Sequence, residues 1–421
     1  MATLKEFKAL MYDSETVGDI SSVVAPHCHT EEQEIIRKNY ENHPFNVMRL
    51  EYPSSCEGSD NKYVKTAETL KNWIETGIVR VVQEPAIYVY EQEFYEGEQK
   101  ISIRGITGKV KIEDGVMFPH EETNSMVYGD YKSDRFNLMA TTNTVFSSIL
   151  ALYRDENGDV AAAVETKENP DFEFTDNFGV THRLWAVKNE EALLKIKNAF
   201  SEKKLVIADG HVRYETAVNY YKKMRDSVVE YSGDEEFNYV MMNLLPVAPN
   251  APVVKPVHRL LKNKQNFNEE EFITKLQTKF EITKNYIREY DCEKIICRLG
   301  ENRERRAMAL YAGKDYYYLL VPKAEITENI YTDSQLLHRE ILSDILNINN
   351  ENFKTHIAYA LTVEDGERKV REGEANCAFY LNPMTSEEIF GLAECGIKMP
   401  KRTSCFYPRL MTGIVMNKFD E

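Results

Sequence analysis

The most constraining feature of the sequence is a short apolar run that ends abruptly in a turn and is followed by a helical pattern. Residues 205–208 (Leu-Val-Ile-Ala) are typical of a buried strand, and Asp209 and Gly210 favour a turn. Apolar residues then recur at helical spacing from Tyr214 to Tyr221. A strand, a tight turn and a helix start place backbone N–H groups at the rim of an α/β layer, where ligands bind.

The side chains of this turn suit an anionic ligand. Gly210 lacks the Cβ that would block a ligand from the backbone, and Arg213 carries a planar donor fork for phosphate or carboxylate. His211 is a candidate for orienting a phosphate or moving a proton, and Asp209 for holding a metal ion or a substrate hydroxyl. The spacing equally allows Asp209 to be a plain helix cap and Arg213 a solvated residue of the first turn.

A second polar cluster follows a β-rich region at residues 118–125. His120 and Glu121 are adjacent there, and Thr123 follows. A carboxylate beside a histidine can act as a general base or bind a metal. On spacing alone, a surface loop is the preferred interpretation.

Cysteine and histidine patterns predict no metal centre. His27, Cys28 and His29 are consecutive, but adjacent residues rarely converge on one ion and no fourth ligand is evident. Cys292 and Cys297 match no common zinc spacing. Seven cysteines at irregular spacing indicate reduced thiols in a cytoplasm.

A third cluster lies near the C-terminus, at residues 399–413. Lys401, Arg402 and Arg409 stand there beside aromatic residues and prolines in an otherwise acidic chain. The segment is either a loop that faces an anion or a loop whose aromatic residues pack onto the core.

Composition excludes some classes of protein. With 421 residues, 43% hydrophobic and 29% charged, the chain resembles a soluble globular protein of two or three domains. No apolar run approaches the roughly 20 residues that span a bilayer, so we expect no membrane partner. A net charge of −16 disfavours a nucleic-acid partner, but a small anion needs only a few well-placed donors.

Local patterns predict a mixed α/β (α+β) fold in two domains. Helices are predicted over 31–42, 63–75, 189–201, 268–279 and 334–346, and a strand–turn–helix over 205–225. Strands are predicted over 86–94, 100–110, 145–154, 160–166, 205–208, 237–247, 316–323 and 376–383. The strands at 145–154 and 160–166 flank a Gly-containing turn and predict a hairpin. The acidic segment 232–236 predicts a boundary between a domain of residues 1–231 and a C-terminal α/β domain of residues 237–421. Residues near 250–260 or the C-terminal tail could return to the first domain.

Five stretches together resemble one family. They are HPFNVMRLEYP (43–53), GVMFPHEET (115–123), THRLWAV (181–187), IADGHVRYETA (207–217) and MPKRTSCFYPRLMTG (399–413). In this order they are similar to domain-of-unknown-function family 1015, often labelled ParB-like, over about residues 5–417.

The resemblance implies a nucleotide site. The family's Asp-Gly-His-His-Arg signature is similar to the nucleotide-binding motif of the ParB/sulfiredoxin superfamily, which includes CTP-hydrolysing partition proteins, sulfiredoxin and free serine kinases. It implies a ParB/sulfiredoxin-like N-terminal portion in which Asp209, Gly210, His211 and Arg213 face nucleotide phosphates at a helix start.

The other motifs supply the remaining candidates. His120, Glu121 and Thr123 match the family's His-Glu-x-Thr pattern, which implies that Glu121 is the base that activates a hydroxyl, as a Glu does in the serine kinases. His120 and Asp209 are further catalytic candidates. Thr123 joins the two basic residues Lys401 and Arg409 as a candidate for binding the cofactor, ADP or ATP with Mg²⁺.

The chain departs from the family pattern at three polar positions. The second histidine of the signature is Val212, which cannot donate to a phosphate. Residues 25–29 read Ala-Pro-His-Cys-His instead of Ala-Pro-Pro-Tyr-Asp, and Cys405 replaces a tyrosine. These changes indicate either another substrate or lost catalysis.

Three functions are compatible with these observations. We expect a phosphotransferase that acts on a small, serine-like hydroxyl compound, because phosphoryl transfer relies on positioning and charge neutralisation and needs no Walker-type loop. A nucleotide or metabolite sensor without turnover is the alternative. A ParB-like DNA-associated protein is disfavoured by the charge and by the lack of a basic helix-turn-helix. The sequence is also compatible with a homo-oligomer.

Overall fold

A computed structural model describes residues 2–28, 32–53, 61–122, 125–164, 169–248, 252–287 and 292–419, with side chains omitted for 125–132 and 292. The strands, in chain order, are β1 (Leu4–Lys5), β2 (Ala9–Tyr12), β3 (Ala25–Pro26), β4 (Val79–Val81), β5 (Ile87–Glu96), β6 (Gln99–Lys111), β7 (Met117–Pro119), β8 (Thr144–Val145), β9 (Ile149–Tyr153), β10 (Phe172–Thr175), β11 (Thr181–Val187), β12 (Leu205–Asp209), β13 (Tyr239–Pro246), β14 (Val253–Pro256), β15 (His258–Leu261), β16 (Phe280–Tyr286), β17 (Met308–Tyr311), β18 (Tyr316–Pro322), β19 (Ile357–Ala360), β20 (Cys377–Tyr380), β21 (Ser404–Tyr407), β22 (Met411–Thr412) and β23 (Met416–Lys418).

The α-helices alternate with these strands. They are α1 (Ser14–Val17), α2 (Gln33–Asn42), α3 (Met48–Glu51), α4 (Lys62–Glu75), α5 (Ser125–Thr142), α6 (Asp159–Ala163), α7 (Glu190–Phe200), α8 (His211–Ser227), α9 (Glu269–Leu276), α10 (Cys292–Glu301), α11 (Asp333–Leu336), α12 (Phe353–His356), α13 (Val363–Arg371) and α14 (Ser386–Glu394). A π-helical segment, Leu337–Ser343, continues α11.

The chain forms two compact units. The first contains residues 1–119, 123–252 and 408–421, and the second contains residues 120–122 and 253–407. Each unit has its own buried apolar clusters.

The first unit is organised around a nine-stranded sheet. The strand order is β10-β11-β5-β6-β13-β9-β12-β7, with β1 paired to β6. The pairs β12–β7 and β13–β9 are parallel, and the other pairs are antiparallel. Because β12 has neighbours on both edges and apolar residues on both faces, Leu205 to Ala208 are almost entirely buried.

A smaller sheet carries the C-terminal segment in the same unit. Its order is β4-β2-β23-β8, and β22 pairs separately with β3. The last strands of the chain therefore complete the unit that the first strands begin.

The second unit contains a six-stranded antiparallel sheet of order β16-β18-β17-β20-β15-β19. The strands β14 and β21 form a separate pair. Amphipathic helices cover the sheet, as in α9, where Asn268 caps the N-terminus and Phe272 and Leu276 are buried.

The structure confirms the mixed α/β class and most of the predicted elements. The predicted hairpin around residues 155–159 is wrong, because the second arm is α6 and not a strand. Alanines favour a helix there, and the Asp155 carboxylate accepts the N–H groups of Val160 and Ala161 at 3.1 and 3.0 Å.

The division along the chain also differs from the predicted one. The acidic segment 232–236 lies within the first unit, since β13 follows it directly and pairs with both β6 and β9. The first unit extends to residue 252 and regains the chain at residue 408. Composition at 232–236 indicates a solvated loop, and strand pairing decides which unit contains it.

Candidate functional site

The strand–turn–helix predicted from the sequence is present. β12 ends at Asp209, and Gly210 is the N-cap of α8 with φ 88° and ψ 26°, a left-handed conformation that favours glycine. The N–H of Tyr214 donates to the Gly210 carbonyl at 2.9 Å, which closes the first helical turn. Asp209 is not the cap of this helix, because its Oδ1 accepts the N–H of Gly210 itself at 2.7 Å.

Arg213 folds back over the turn. Its Nη1 donates to the carbonyl of Ser148 at 2.8 Å, and its side chain is only 10% exposed. A Cβ on Gly210 would lie 2.8 Å from Nη2 and 3.0 Å from Nε of Arg213. The guanidinium would have to shift to admit a Cβ at Gly210. The interpretation of Arg213 as a solvated residue is wrong.

One side of the Arg213 guanidinium is turned toward the helix start. Nε is buried and has no hydrogen-bond partner, and Nη2 is 3.9 Å from Oδ2 of Asp209. The Nε–Nη2 edge is the one that binds phosphate or carboxylate in a bidentate manner. The unpaired donor, the glycine and the first amides of α8 therefore meet at one place.

Other motif segments of the first unit converge on the same turn. Ser147, which precedes the Arg213 partner, has its Oγ 3.2 Å from Oγ1 of Thr412. Thr412 in β22 pairs with Ala25 in β3, and the N–H of Gly413 donates to Phe146 at 3.2 Å. The early, middle and C-terminal motifs are thereby bonded into one cluster.

Arg409 belongs to this cluster and bonds to its early segment. Its Nη1 donates to Oε2 of Glu32 at 2.8 Å and to the carbonyl of His27 at 3.2 Å. Its own carbonyl accepts from the Gln92 amide at 3.0 Å. Arg409 thus links His27 and Glu32 to the C-terminal segment of the first unit.

A buried ion pair lies beside Arg213. A cavity of about 50 Å³ is lined by Arg213, Ser147, Thr216 and apolar side chains, together with Glu51 and Arg135. Nη1 of Arg135 is 3.1 Å from Oε1 of Glu51, and both side chains are 5% exposed. Sequence reasoning missed this pair, because burial of a charge cannot be read from local composition.

In the second unit, His120 and Glu121 lie beside the basic C-terminal segment. Both oxygens of Glu121 accept backbone N–H groups, Oε2 from Arg402 and Oε1 from Thr403, each at 3.0 Å. Nε2 of His120 is 3.0 Å from Oγ of Ser404. Lys401 lies in the same loop, and its Nζ is buried.

The predicted site residues therefore fall into two groups. The first unit contains Asp209, Gly210, His211, Arg213 and Arg409, and the second contains His120, Glu121 and Lys401. His211 is 8% exposed in the first turn of α8. Thr123 and His29 lie outside the described residues.

Among the described residues, no group of three or more His, Cys, Asp or Glu side chains is arranged to hold a metal ion. No helix within those ranges has both the length and the apolar character needed to cross a bilayer.

Comparison with known families decides the relationship. Residues 4–344 match the family described as Protein of unknown function (DUF1015). The chain belongs to this family. The match confirms the resemblance seen in the motifs, and the segment 399–413 lies beyond its end.

Comparison with individual proteins adds distant likenesses to this DUF1015 member. No curated protein matches it. Among solved structures it is similar to a conserved hypothetical protein from Pyrococcus furiosus, with 15% identity, a TM-score of 0.36 and coverage of 73% of this chain and 94% of that chain. It is also similar to free serine kinase in complex with AMP, with 15% identity, a TM-score of 0.38 and coverage of 74% of this chain and 91% of that chain. A mutant of that kinase in complex with ADP has 13% identity, a TM-score of 0.38 and coverage of 74% of this chain and 92% of that chain.

Proposed function

We propose that the turn at Gly210 binds a nucleotide phosphate and that the protein transfers a phosphoryl group to a small hydroxyl-bearing metabolite. The observation that carries this proposal is the Arg213 guanidinium, which keeps its Nε without a partner beside a glycine at a helix start. An orphan charged donor in a buried position is costly unless a ligand completes its bonding.

The surroundings of the turn support an anion over a neutral ligand. The amides of the first turn of α8 and the helix dipole favour negative charge at this point. The bond from Nη1 to Ser148 fixes the guanidinium, so little side-chain freedom is lost when an anion binds. The same features make the site independent of the chain's net charge of −16.

Asp209 fits the role of the catalytic carboxylate at this turn. Its side chain is 39% exposed and stands next to the proposed phosphate position. Its Oδ1 accepts the N–H of Gly210, which orients the carboxylate to hydrogen-bond a substrate hydroxyl and take its proton. The terminal phosphorus–oxygen bond of the nucleotide breaks as the new bond to the hydroxyl oxygen forms. Glu121 is the other carboxylate to test as the base.

Mg²⁺ would arrive with the nucleotide. The nucleotide phosphates would supply its oxygen ligands, together with water. The ion would neutralise charge on the phosphates. The contribution of the chain is to hold those phosphates at Arg213 and the first turn of α8.

A thermal-shift assay with ADP, ATP and CTP in the presence of Mg²⁺ tests the binding step. The wild type should be stabilised by at least one nucleotide, and Arg213→Ala should lose that stabilisation. A phosphorus NMR screen of acceptors, starting with L-serine, then tests the transfer. No stabilisation by any nucleotide would refute the proposal.

A second candidate function is a nucleotide sensor without turnover. Val212 favours it, because this side chain is only 9% exposed and packs where the family signature has a second histidine. Binding of nucleotide with no phosphorylated product from any acceptor would select the sensor, and recovery of turnover in Val212→His would explain it.

A further inference from the structure

The conformation of the loop at residues 399–404, hereafter the basic loop, is determined by side chains from elsewhere in the second unit. The N–H of Met399 donates to the carbonyl of His120 at 2.8 Å, and Ser404 contacts the His120 ring. Between these two ends, Glu121 accepts the N–H groups of residues 402 and 403. The loop is therefore bonded along its length to one short segment.

Arg259, in β15, holds the same loop from the other side. Its Nη2 donates to the carbonyl of Lys401 at 3.0 Å, and its Nη1 donates to Val257 at 2.6 Å. The carbonyl of Lys401 and the N–H of Arg402 belong to one peptide group. Arg259 and Glu121 thus fix that peptide group at its two ends.

Holding the basic loop in this way costs free energy in two places. Arg259 is 0% exposed, and its Nε has no hydrogen-bond partner. Burial lowers the pKa of Arg259, with the charge of Glu121 acting against that effect. Arg402 has φ 54°, a left-handed conformation that is unfavourable for arginine. A buried charge and a strained residue at the same place indicate that the conformation itself matters.

Positive charge is concentrated around the basic loop. The guanidinium groups of Arg259 and Arg402 lie 5.0 and 4.6 Å from the ring centroid of Tyr359. Lys401 directly precedes Arg402 in the loop. Glu121 accepts two backbone N–H groups of the loop. The cationic side chains of the loop are therefore carried on a backbone that hydrogen bonds hold in one geometry.

We propose that Glu121 and Arg259 are positioning residues that hold the basic loop in the conformation in which it binds an anionic ligand. The inference rests on the proposed function only in taking that ligand to be a phosphate compound. It also changes the role of Glu121. Protonation by a substrate would weaken the hydrogen bonds that the Glu121 carboxylate accepts from two backbone N–H groups of the loop. Glu121 therefore acts on the loop, and Asp209 serves as the base.

Amide hydrogen exchange of peptides covering residues 399–405 tests this proposal without any ligand. Exchange should be at least tenfold faster in Glu121→Gln, which loses one acceptor, and in Arg259→Met, which loses the donor to Lys401. Arg259→Met should keep or raise the unfolding midpoint, because a buried charge is removed. The matched control is Glu281→Gln, which breaks an exposed ion pair with Arg305 in the same unit and should leave the loop unchanged.

A conservative variant and a turnover measurement complete the test. Arg259→Lys should restore part of the loop protection. Unchanged loop exchange in both Glu121→Gln and Arg259→Met would overturn the proposal, as would loss of turnover in Glu121→Gln with the loop still protected. Because exchange is measured in the free protein, failure to bind a nucleotide would refute the proposed function and leave this result standing.

Discussion

At the scale of single residues, the proposed anion site depends on the contact between Gly210 and Arg213. The left-handed φ of 88° and the guanidinium at 2.8 Å from a would-be Cβ are two separate reasons for glycine. They can be separated experimentally, because Gly158 is also a left-handed N-cap, with φ 71° and no heavy atom within 4 Å of its would-be Cβ.

Replacing each of these glycines with alanine should therefore give different losses of stability. Gly158→Ala should cost about 1–2 kcal/mol from backbone conformation alone. Gly210→Ala should cost at least about 1 kcal/mol more, because the guanidinium must move. Urea unfolding measures both. Adding Arg213→Ala to Gly210→Ala should recover the difference, and equal losses in the two single variants would contradict the described contact.

Buried His258 and half-buried His338, whose Nε2 is shielded from solvent, should make stability sensitive to acid. Burial, and next the charge of Arg259, lower the pKa of both His258 and His338 to about 3. The unfolded chain binds these protons near pH 6.5, so stability should fall as pH drops from about 6.5 toward 3, by up to about 1.4 kcal/mol per pH unit for each histidine. His338→Gln should show a shallower fall in urea unfolding between pH 7 and pH 5. An unchanged slope would contradict the burial of this ring.

At the scale of elements, local signals were sufficient wherever a period and a cap agreed. The strand–turn–helix at 205–227 was predicted because its apolar run, its Asp-Gly pair and its helical spacing all indicate the same structure. The prediction of a strand at 160–163 was wrong because an apolar run this short fits strand and helix equally. The carboxylate of Asp155, in the preceding turn, accepts the first N–H groups of the helix and stabilises it.

The candidate site was predictable only in part. The Asp-Gly turn and Arg213 are visible in the sequence, but the partner of Arg213 is a backbone carbonyl, whose position no residue type reveals. Arg259 and the Glu51–Arg135 pair were missed for another reason. An isolated charged residue in a strand or helix is usually exposed, so only the fold shows that these are buried.

The ion pair between α3 and α5 should be strongly coupled. Arg135→Met should destabilise the protein by about 3–5 kcal/mol, because Glu51 would be left as an uncompensated buried charge. Adding Glu51→Leu should recover most of this loss. Arg37→Met, which breaks an exposed pair with Glu41, is the control and should change stability by about 0.5 kcal/mol or less. Additive losses in the double variant would contradict the pairing.

At the scale of the whole molecule, the C-terminal segment is structural in the first unit. β23 lies between β2 and β8, and its Met416 is 0% exposed. The segment 408–419 also buries Met411, Ile414, Val415 and Phe419. The first unit is therefore discontinuous in sequence, with its ends joined by strand pairing.

Truncation after Tyr407 should abolish the cooperative folding of the first unit. Five buried apolar side chains at about 1.5–3 kcal/mol each approach the whole stability of a typical domain. Calorimetry should show the loss of one unfolding transition, whereas removal of only the residues after Phe419 should leave the transition in place. A stable first unit in the longer truncation would contradict the described strand order.

Isothermal titration of Mg·ADP into three matched proteins tests whether the nucleotide binds at the turn formed by Gly210 and Arg213. Wild type and Arg225→Met should bind alike, since Arg225 lies at the other end of α8 with its side chain 47% exposed. Arg213→Met carries the same change of charge and should bind at least about 30-fold more weakly, as expected for loss of a charge-assisted hydrogen bond of about 2 kcal/mol. Equal affinities of Arg213→Met and Arg225→Met would show that the nucleotide does not bind at this turn.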